Sequence, residues 1–279
     1  MMNLKSENEQ ASKPSKIVLV TGAAQRLGRA IALYMAEHGW DIVVHYGASQ
    51  QAAMSLVQEI EKMGRRAMAL QADLRNEAAV NNLIPQVLNA WGRLDCVVNN
   101  ASMFEADTAH NFSQDLLDRH MHVNLTAPVL LAKALHQHKV ASAAPDLGCV
   151  INLLDQKLFN LNPDYLSYTL SKAALQCATT TLAQALAPQV RVVGLAPGLS
   201  LPSGSQTQSQ FEAAHQATPL KQSSTPDDIA QAVLYLAQAR AITGTVLTVD
   251  GGQHLIPSQR DVMFLTTLAT GTSTFNESN

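Results

Sequence analysis

Tyr168 and Lys172 stand four residues apart, the spacing that puts two side chains on one face of a helix. A phenol titrating at about 10 is a weak acid–base group at neutral pH. A neighbouring ammonium favours phenolate and so equips Tyr168 to give and regain a proton. Asp155 lies upstream, just past the strand-like run Cys149–Leu153 that feeds this helix. The three side chains are therefore expected at one mouth as a proton-handling cluster. Tyr165 is a competing phenol, but it sits two turns from Lys172 and one turn from Tyr168. Taken alone, Tyr-x-x-x-Lys also describes an exposed helix pair, and Asp155 a helix cap, so the surrounding elements decide between the readings.

A second group of residues could hold an anion. Thr21-Gly22-Ala23-Ala24-Gln25-Arg26-Leu27-Gly28 follows an apolar run and opens a helical pattern. Glycine permits a tight turn and close backbone approach, and a helix N-terminus offers unpaired N–H groups to a pyrophosphate. An ordinary strand–helix turn has the same outline, but the place directly after the first strand favours nucleotide binding. Arg26 stands where a glycine is common in such turns, and its cation could pair with the pyrophosphate or with an electron-rich substrate edge.

His45-Tyr46-Gly47-Ala48-Ser49 follows the second strand and carries no carboxylate to accept from a ribose 2′-hydroxyl. That absence favours NADPH over NADH. Asp73-Leu74 follows the third strand, placed to meet an adenine ring; a helix cap is the plainer role for Asp73. Asn99-Asn100-Ala101 follows the fourth strand, and Asn124 falls inside the next helical pattern. An asparagine at a helix kink can hold a water that relays protons to a lysine, although one facing solvent needs no such role. Pro197-Gly198 makes a sharp turn after the sixth strand, suited to the nicotinamide end of the coenzyme.

The elements that must position these groups alternate along the chain. Ile17–Val20, Ile42–His45, Ala67–Leu70, Cys96–Val98, Cys149–Leu153, Val190–Leu195 and Val246–Val249 read as short strands, apolar on both faces. Arg29–Glu37, Gln51–Lys62, Glu77–Ala90 and Tyr168–Leu186 read as helices between them, the last belonging to a long helix beginning near Pro163. This alternation predicts an α/β chain with a single Rossmann-type, doubly wound parallel sheet of seven strands and helices on both faces. Ligands of such sheets sit at the carboxyl ends of the strands, where the candidate residues fall.

With 279 residues, 47% of them hydrophobic and 15% charged, the chain can bury one large core. Its net charge of −3 gives no electrostatic footprint for nucleic acid or an anionic membrane. Cys96, Cys149 and Cys177 lie outside any metal-ligand spacing, so each reads as a buried apolar cysteine in a reducing cytoplasm, and no metal is expected. No apolar run reaches the roughly 18 residues of a membrane span. Residues 1–15 are polar and read as a flexible tail without a signal peptide. The catalytic domain then covers 16–256, and 257–279 form an extension that meets a subunit interface before a disordered end. Pro202–Gln210 reads as a flexible loop.

Across Lys16–Gly252 these pieces together resemble the short-chain dehydrogenase/reductase family. The matching residues are Thr21–Gly28, Asp73-Leu74, Asn99-Asn100-Ala101, Asn124, Tyr168 with Lys172, Pro197-Gly198 and Asp250-Gly251-Gly252. Asp155 in place of the family's usual serine, and Arg26 in place of its middle glycine, are similar to the pteridine reductases, including dihydromonapterin- and dihydrofolate-reducing members. Asn99–Phe104, His45-Tyr46 and Pro197–Ser200 also look like theirs, although Gly47 replaces the basic residue often found after His-Tyr.

The resemblance implies a coenzyme held by Gly22, Arg26, Leu27, Gly28, His45, Tyr46 and Ser49, and by Asp73, Leu74, Asn100, Ala101 and Ser102. Tyr168, Lys172, Pro197, Gly198 and Ser200 complete that set. A pterin would lie between Phe104 and nicotinamide, its polar edge on Arg26 and Ser102, with Asp155 and Tyr168 handling protons. Asn124 joins the catalytic set. The family commonly forms homotetramers, and the apolar stretch His254–Phe264 is expected to be buried, either with Arg260 reaching a neighbouring subunit near its substrate site or by packing on its own domain. A general carbonyl reductase is the main alternative, and a non-catalytic NADP-binding sensor or scaffold another. Gly47→Asp should move selectivity towards NADH by placing a carboxylate near the ribose. Initial rates with both coenzymes check this; wild-type selectivity in that variant contradicts the placement of Gly47.

Overall fold

Short runs of Val, Ile and Leu bounded by glycine, asparagine or proline form seven strands that pair side by side, all parallel. The computed structural model describes residues 15–142, 146–202 and 207–261. In chain order the elements are β1 (Ile17–Val20), α1 (Arg26–Glu37), β2 (Asp41–Tyr46), α2 (Gln50–Lys62), β3 (Ala67–Gln71) and α3 (Glu77–Trp91). There follow β4 (Cys96–Asn99), α4 (Gln114–Met121), a π turn (His122–Thr126), α5 (Ala127–Ala141), β5 (Gly148–Leu153) and a 3-10 turn (Gln156–Phe159). The chain continues through α6 (Leu166–Ala185), β6 (Val190–Pro197), α7 (Gln208–Gln216), α8 (Pro226–Gln238), β7 (Val246–Val249) and a last 3-10 turn (Gln253–Leu255).

The strand order is β3-β2-β1-β4-β5-β6-β7, so the winding reverses between β1 and β4. A crevice opens there at the carboxyl ends of the strands. Successive side chains of a strand point to opposite faces, and the core divides accordingly. Val18 and Val20 pack with Ile31 of α1, Leu56 of α2 and Ile229 of α8. Ile17 and Leu19 pack with Leu83 of α3, Leu131 of α5 and Ala183 of α6. Burial on both faces is why these strands read as continuous apolar runs.

Two expectations change. Thr207 caps α7 in a reciprocal capping box with Gln210, so the end of the Pro202–Gln210 segment is helical rather than a loop; residues 203–206 lie outside the described residues. Cys96 and Cys149 are buried, but Cys177 lies on the solvent face of α6 and is exposed. Leu255 and Ile256 are also exposed on the single chain, while Val262, Met263 and Phe264 lie outside the described residues. Among the described residues, no helix is long and apolar enough to cross a membrane, and no cluster of metal-ligand side chains occurs.

At the amino end of the sheet, buried Asp95 ties β4 to its surroundings. It accepts from the Ile17 amide (2.9 Å), from Arg93 (2.6 and 3.0 Å) and from Lys139 Nζ (3.0 Å). Burial pushes its carboxyl up, but the Arg93, Ile17 and Lys139 contacts outweigh that and hold it below the usual carboxylate range. Asp95→Ala leaves the Lys139 ammonium buried without its carboxylate, and should cost about 3–5 kcal/mol of stability. Urea unfolding measures this; a loss below about 1 kcal/mol contradicts the pairing.

Candidate active site

The turn after β1 is built by hydrogen bonds to β4 and β2. Thr21 Oγ1 accepts from the amides of Asn100 and Ala101, both at 3.0 Å. Asn100 Nδ2 donates back to the Thr21 carbonyl at 2.8 Å. Gly22 has φ +63°, a left-handed conformation open to glycine. A Cβ on Gly28 would lie 2.3 Å from the Gly22 carbonyl oxygen and 2.5 Å from Asn100 Nδ2, so only glycine lets α1 pack this close.

His45 is buried behind this turn. Its Nδ1 accepts from the Gly22 amide (3.0 Å), and Nε2 meets the Ala72 carbonyl (3.1 Å), which assigns the proton to Nε2. Burial lowers its pKa to about 4, so the ring is neutral and able to accept at neutral pH. His45 therefore fixes the turn from behind and does not line the cleft.

The cleft holds about 630 Å³ and runs from this turn to Tyr168. The first turn of α1 carries no acidic residue and Gln25 makes no side-chain cap, so its amide end suits an anion. Leu27, Ala101, Ser102, Tyr46, Gly47 and Ser49 border the same cleft, as do Pro197, Gly198 and Ser200. Arg26 lines it too, with φ +53°, where residues other than glycine are strained. Its Nη2 donates to the Pro202 carbonyl (2.9 Å), spanning from the phosphate turn to the loop after β6. Asp73 and Leu74 do not reach the cleft. Asp73 pairs with Arg75 (2.7 Å) and Leu74 is buried in the core.

Asp155 and Tyr168 meet as expected. The Tyr168 hydroxyl donates to Asp155 Oδ2 at 2.7 Å, and Asp155 Oδ1 accepts from the Lys157 amide at 2.8 Å. Asp155 is thus both a partner of the phenol and the cap of the 3-10 turn. Burial raises its pKa against the pull of these hydrogen bonds. The expected lowering of Tyr168 by Lys172 is reversed: burial and the adjacent Asp155 charge push the phenol well above its ordinary value. Lys172 Nζ donates to the Leu153 carbonyl (2.6 Å) and lies 5.8 Å from the Tyr168 ring centroid. Burial lowers this ammonium to about 8, which weakens its claim on the phenol.

Phe104 lines the cleft and lies nearly perpendicular to Tyr168, centroids 4.7 Å apart. Tyr165 stacks on it at 4.3 Å and so occupies one Phe104 face, a contact absent from the sequence reading. The loop and the helix are joined by buried Asp107. Its carboxylate accepts from the amide (2.9 Å) and hydroxyl of Ser167, and its carbonyl accepts from the Leu166 amide (3.2 Å). Asp107 supplies the cap that Tyr165, at the helix N-cap with φ +56°, does not provide.

Asn124 sits in the π turn. Pro128 lacks the N–H that would bond its carbonyl four residues back, which accounts for the kink. The Asn124 side chain is fully engaged: Oδ1 accepts from Met103 N (2.8 Å) and Ser102 Oγ (3.2 Å), and Nδ2 donates to Met103 O (3.0 Å) and Ser171 Oγ (2.9 Å). It holds the Ser102–Met103 loop to α6 and lies outside the cleft lining.

The remaining wall was missed in the sequence. Lys157 is buried and donates to Asn162 Oδ1 (2.6 Å), the Asp164 carbonyl (2.7 Å) and Asp261 Oδ2 (3.0 Å). Arg260 pairs with Asp164 of its own chain at 2.9 Å, as packing on its own domain requires. Gln253 and Asp261 of this segment line the cleft.

Residues 22–254 match the family described as Enoyl-(Acyl carrier protein) reductase. An uncharacterized oxidoreductase of Methylorubrum extorquens is 34% identical over 245 residues, covering 85% of this chain and 97% of that protein. The 3beta-hydroxysteroid dehydrogenase 1 of Eggerthella lenta is 32% identical, covering 87% of this chain and 95% of its own length. Among solved structures, FolM alternative dihydrofolate reductase 1 from Brucella canis, complexed with NADP, is 38% identical with a TM-score of 0.80, covering 86% of this chain and 95% of that one. The Brucella suis protein, also with NADP, gives 38% and 0.79, covering 86% and 96% of the two chains.

The buried ammonium generates a pH signature. The unfolded chain keeps Lys172 protonated to about 10.5, whereas the folded chain releases that proton near 8. The fold thus binds fewer protons than the unfolded chain between these values, and stability gains with rising pH. The wild type should gain about 2 kcal/mol on Lys172→Met between pH 8 and 10. Parallel denaturant unfolding of both proteins checks it; a constant difference contradicts the burial of a titrating Lys172.

Proposed function

The chain belongs to the short-chain dehydrogenase/reductase family, and within that family we propose that it is an NADPH-dependent reductase of pteridines. The observation that carries this reading is the pair formed by the Asp155 carboxylate and the Tyr168 phenol, 2.7 Å apart, with the exposed Phe104 ring beside it. A carbonyl oxygen needs one proton donor, which a hydroxyl provides. Reduction of a ring C=N leaves a basic nitrogen to protonate, and an acid of raised pKa is suited to that task.

NADPH, when bound, supplies the hydride. The uncapped end of α1, the Gly22 and Gly28 approach and Ser49 at the start of α2 fit a phosphorylated dinucleotide. Lys172 and the turn at Pro197-Gly198 border the same cleft as Tyr168.

While Asp155 is ionised it holds the Tyr168 proton, and the phenol is a poor donor. Once Asp155 is protonated, the pair carries two protons and can release one to a ring nitrogen without creating a second adjacent anion. The two groups therefore titrate as a unit. Phe104 offers an aromatic surface for a flat heterocycle, and Ser102 and Arg26 line the cleft for its polar edge.

Carbonyl reduction is the second reading, favoured by relatives named for steroids and for glucose; the glucose 1-dehydrogenase 2 of Bacillus subtilis is 30% identical over 252 residues. NADPH oxidation with dihydropterins, dihydrofolate, ketones and sugars distinguishes the two. Pteridine turnover is expected, cut about 10²-fold or more in Asp155→Asn. Asparagine also caps helices well, so the melting temperature should change little. Steady turnover of steroid or sugar carbonyls with none of pteridines overturns the pteridine reading.

A further inference from the structure

A second carboxylate, Asp261, enters the cleft from a segment to which the chemistry above gives no role. Past β7 the chain turns back over the loop that follows β5. Asn160 Nδ2 donates to the Ile256 carbonyl, Arg260 Nε spans both oxygens of Asp164 (3.1 and 2.9 Å), and the Asp261 amide donates to Asp164 Oδ2 (2.7 Å). Asp261 Oδ2 accepts from Lys157 Nζ, and the Asp261 side chain is 13% exposed. Lys157 is itself fixed by Asn162 and by the Asp164 carbonyl, with its ammonium 5.5 Å from the Tyr165 ring centroid. An ammonium held at three acceptors has no freedom to carry its carboxylate partner away, so Asp261 is a pinned anion.

Its position relative to the reacting groups is defined. Asp261 lines the same cleft as Phe104, Asp155, Gln156 and Tyr168. Its charge also reaches both proton-handling groups, raising Asp155 and Tyr168 alike. Two carboxylates beside an aromatic surface suit a flat heterocycle with several N–H donors. A hydrocarbon face would desolvate such an anion without compensation.

We propose that Asp261 is a specificity-determining residue that accepts a hydrogen bond from the exocyclic amino group of the substrate's pyrimidine ring, at the end of the polar edge that Arg26 and Ser102 face. The assignment rests on the pteridine reading and deepens it. Lys157 and the Arg260–Asp164 pair act as positioning residues, setting where the carboxylate stands.

The test compares a dihydropterin with its 2-oxo analogue, a dihydrolumazine, which lacks the exocyclic amino group. The wild type should favour the amino substrate, and Asp261→Asn should lose about tenfold or more in kcat/KM for it, mainly through KM. The 2-oxo analogue should change far less. Arg260→Gln, which loosens the clamp and keeps the carboxylate, should lower both substrates alike and leave their ratio intact. Asp261→Glu should keep most of the discrimination, which covers the case in which Asp261→Asn fails to fold.

Equal losses for both substrates in Asp261→Asn, or loss of discrimination in Asp261→Glu, would overturn the assignment and leave Asp261 a clamp residue. Turnover of neither pteridine by the wild type, with turnover of a carbonyl compound, would bring down the pteridine reading itself and this inference with it.

Discussion

Tyr168 and Asp155 share one hydrogen bond in a place where burial penalises the charge of either group. Much of the surrounding structure serves to hold them at that distance. Asp155 leaves the end of β5 and is fixed by capping the 3-10 turn. Tyr168 sits on the first turn of α6, whose free amides are satisfied by Asp107 from another loop. The same loop carries Phe104, so one carboxylate sets both the reach of the phenol and the position of the aromatic surface. Asp107, three residues from Phe104, thus couples the aromatic ring to the phenol without touching either.

The coenzyme half follows a different logic. There the backbone amides are the groups offered to the cleft, and side chains hold the backbone. Thr21 and Asn100 bond to one another, His45 holds Gly22 and the Ala72 carbonyl, and the start of α1 borders the cleft. Arg26 departs from this pattern. It occupies a strained left-handed position that glycine would fill without penalty, and its guanidinium crosses to the loop after β6. Strain retained at such a position is consistent with a role for the side chain in the cleft.

The strands and the Tyr168–Lys172 helix were legible because their signals are local: apolar runs covered on both faces, and an i, i+4 spacing. The meeting of Asp155 with Tyr168 was legible too, since both follow one strand. What escaped depends on contacts between distant segments. Lys157 draws partners from positions 162, 164 and 261, and no periodicity marks it. His45 and Tyr46 look equivalent as a motif, but strand alternation buries one and turns the other to the cleft. Asp73 finds a local partner in Arg75 and so is satisfied outside the cleft. The direction of the Tyr168 shift was misjudged because sequence shows a neighbouring cation but not the burial and the closer anion that outweigh it.

The Asp155 carboxyl is raised by burial and tempered by the phenol. Carbon-13 NMR of aspartate-labelled protein, titrated with and without Tyr168→Phe, reads this directly. Asp155 should titrate above the ordinary carboxylate value, and higher still in Tyr168→Phe, because that variant removes the hydrogen bond that favours the charged form. A carboxyl titrating at or below about 4, unmoved by Tyr168→Phe, would contradict the shared-proton pair.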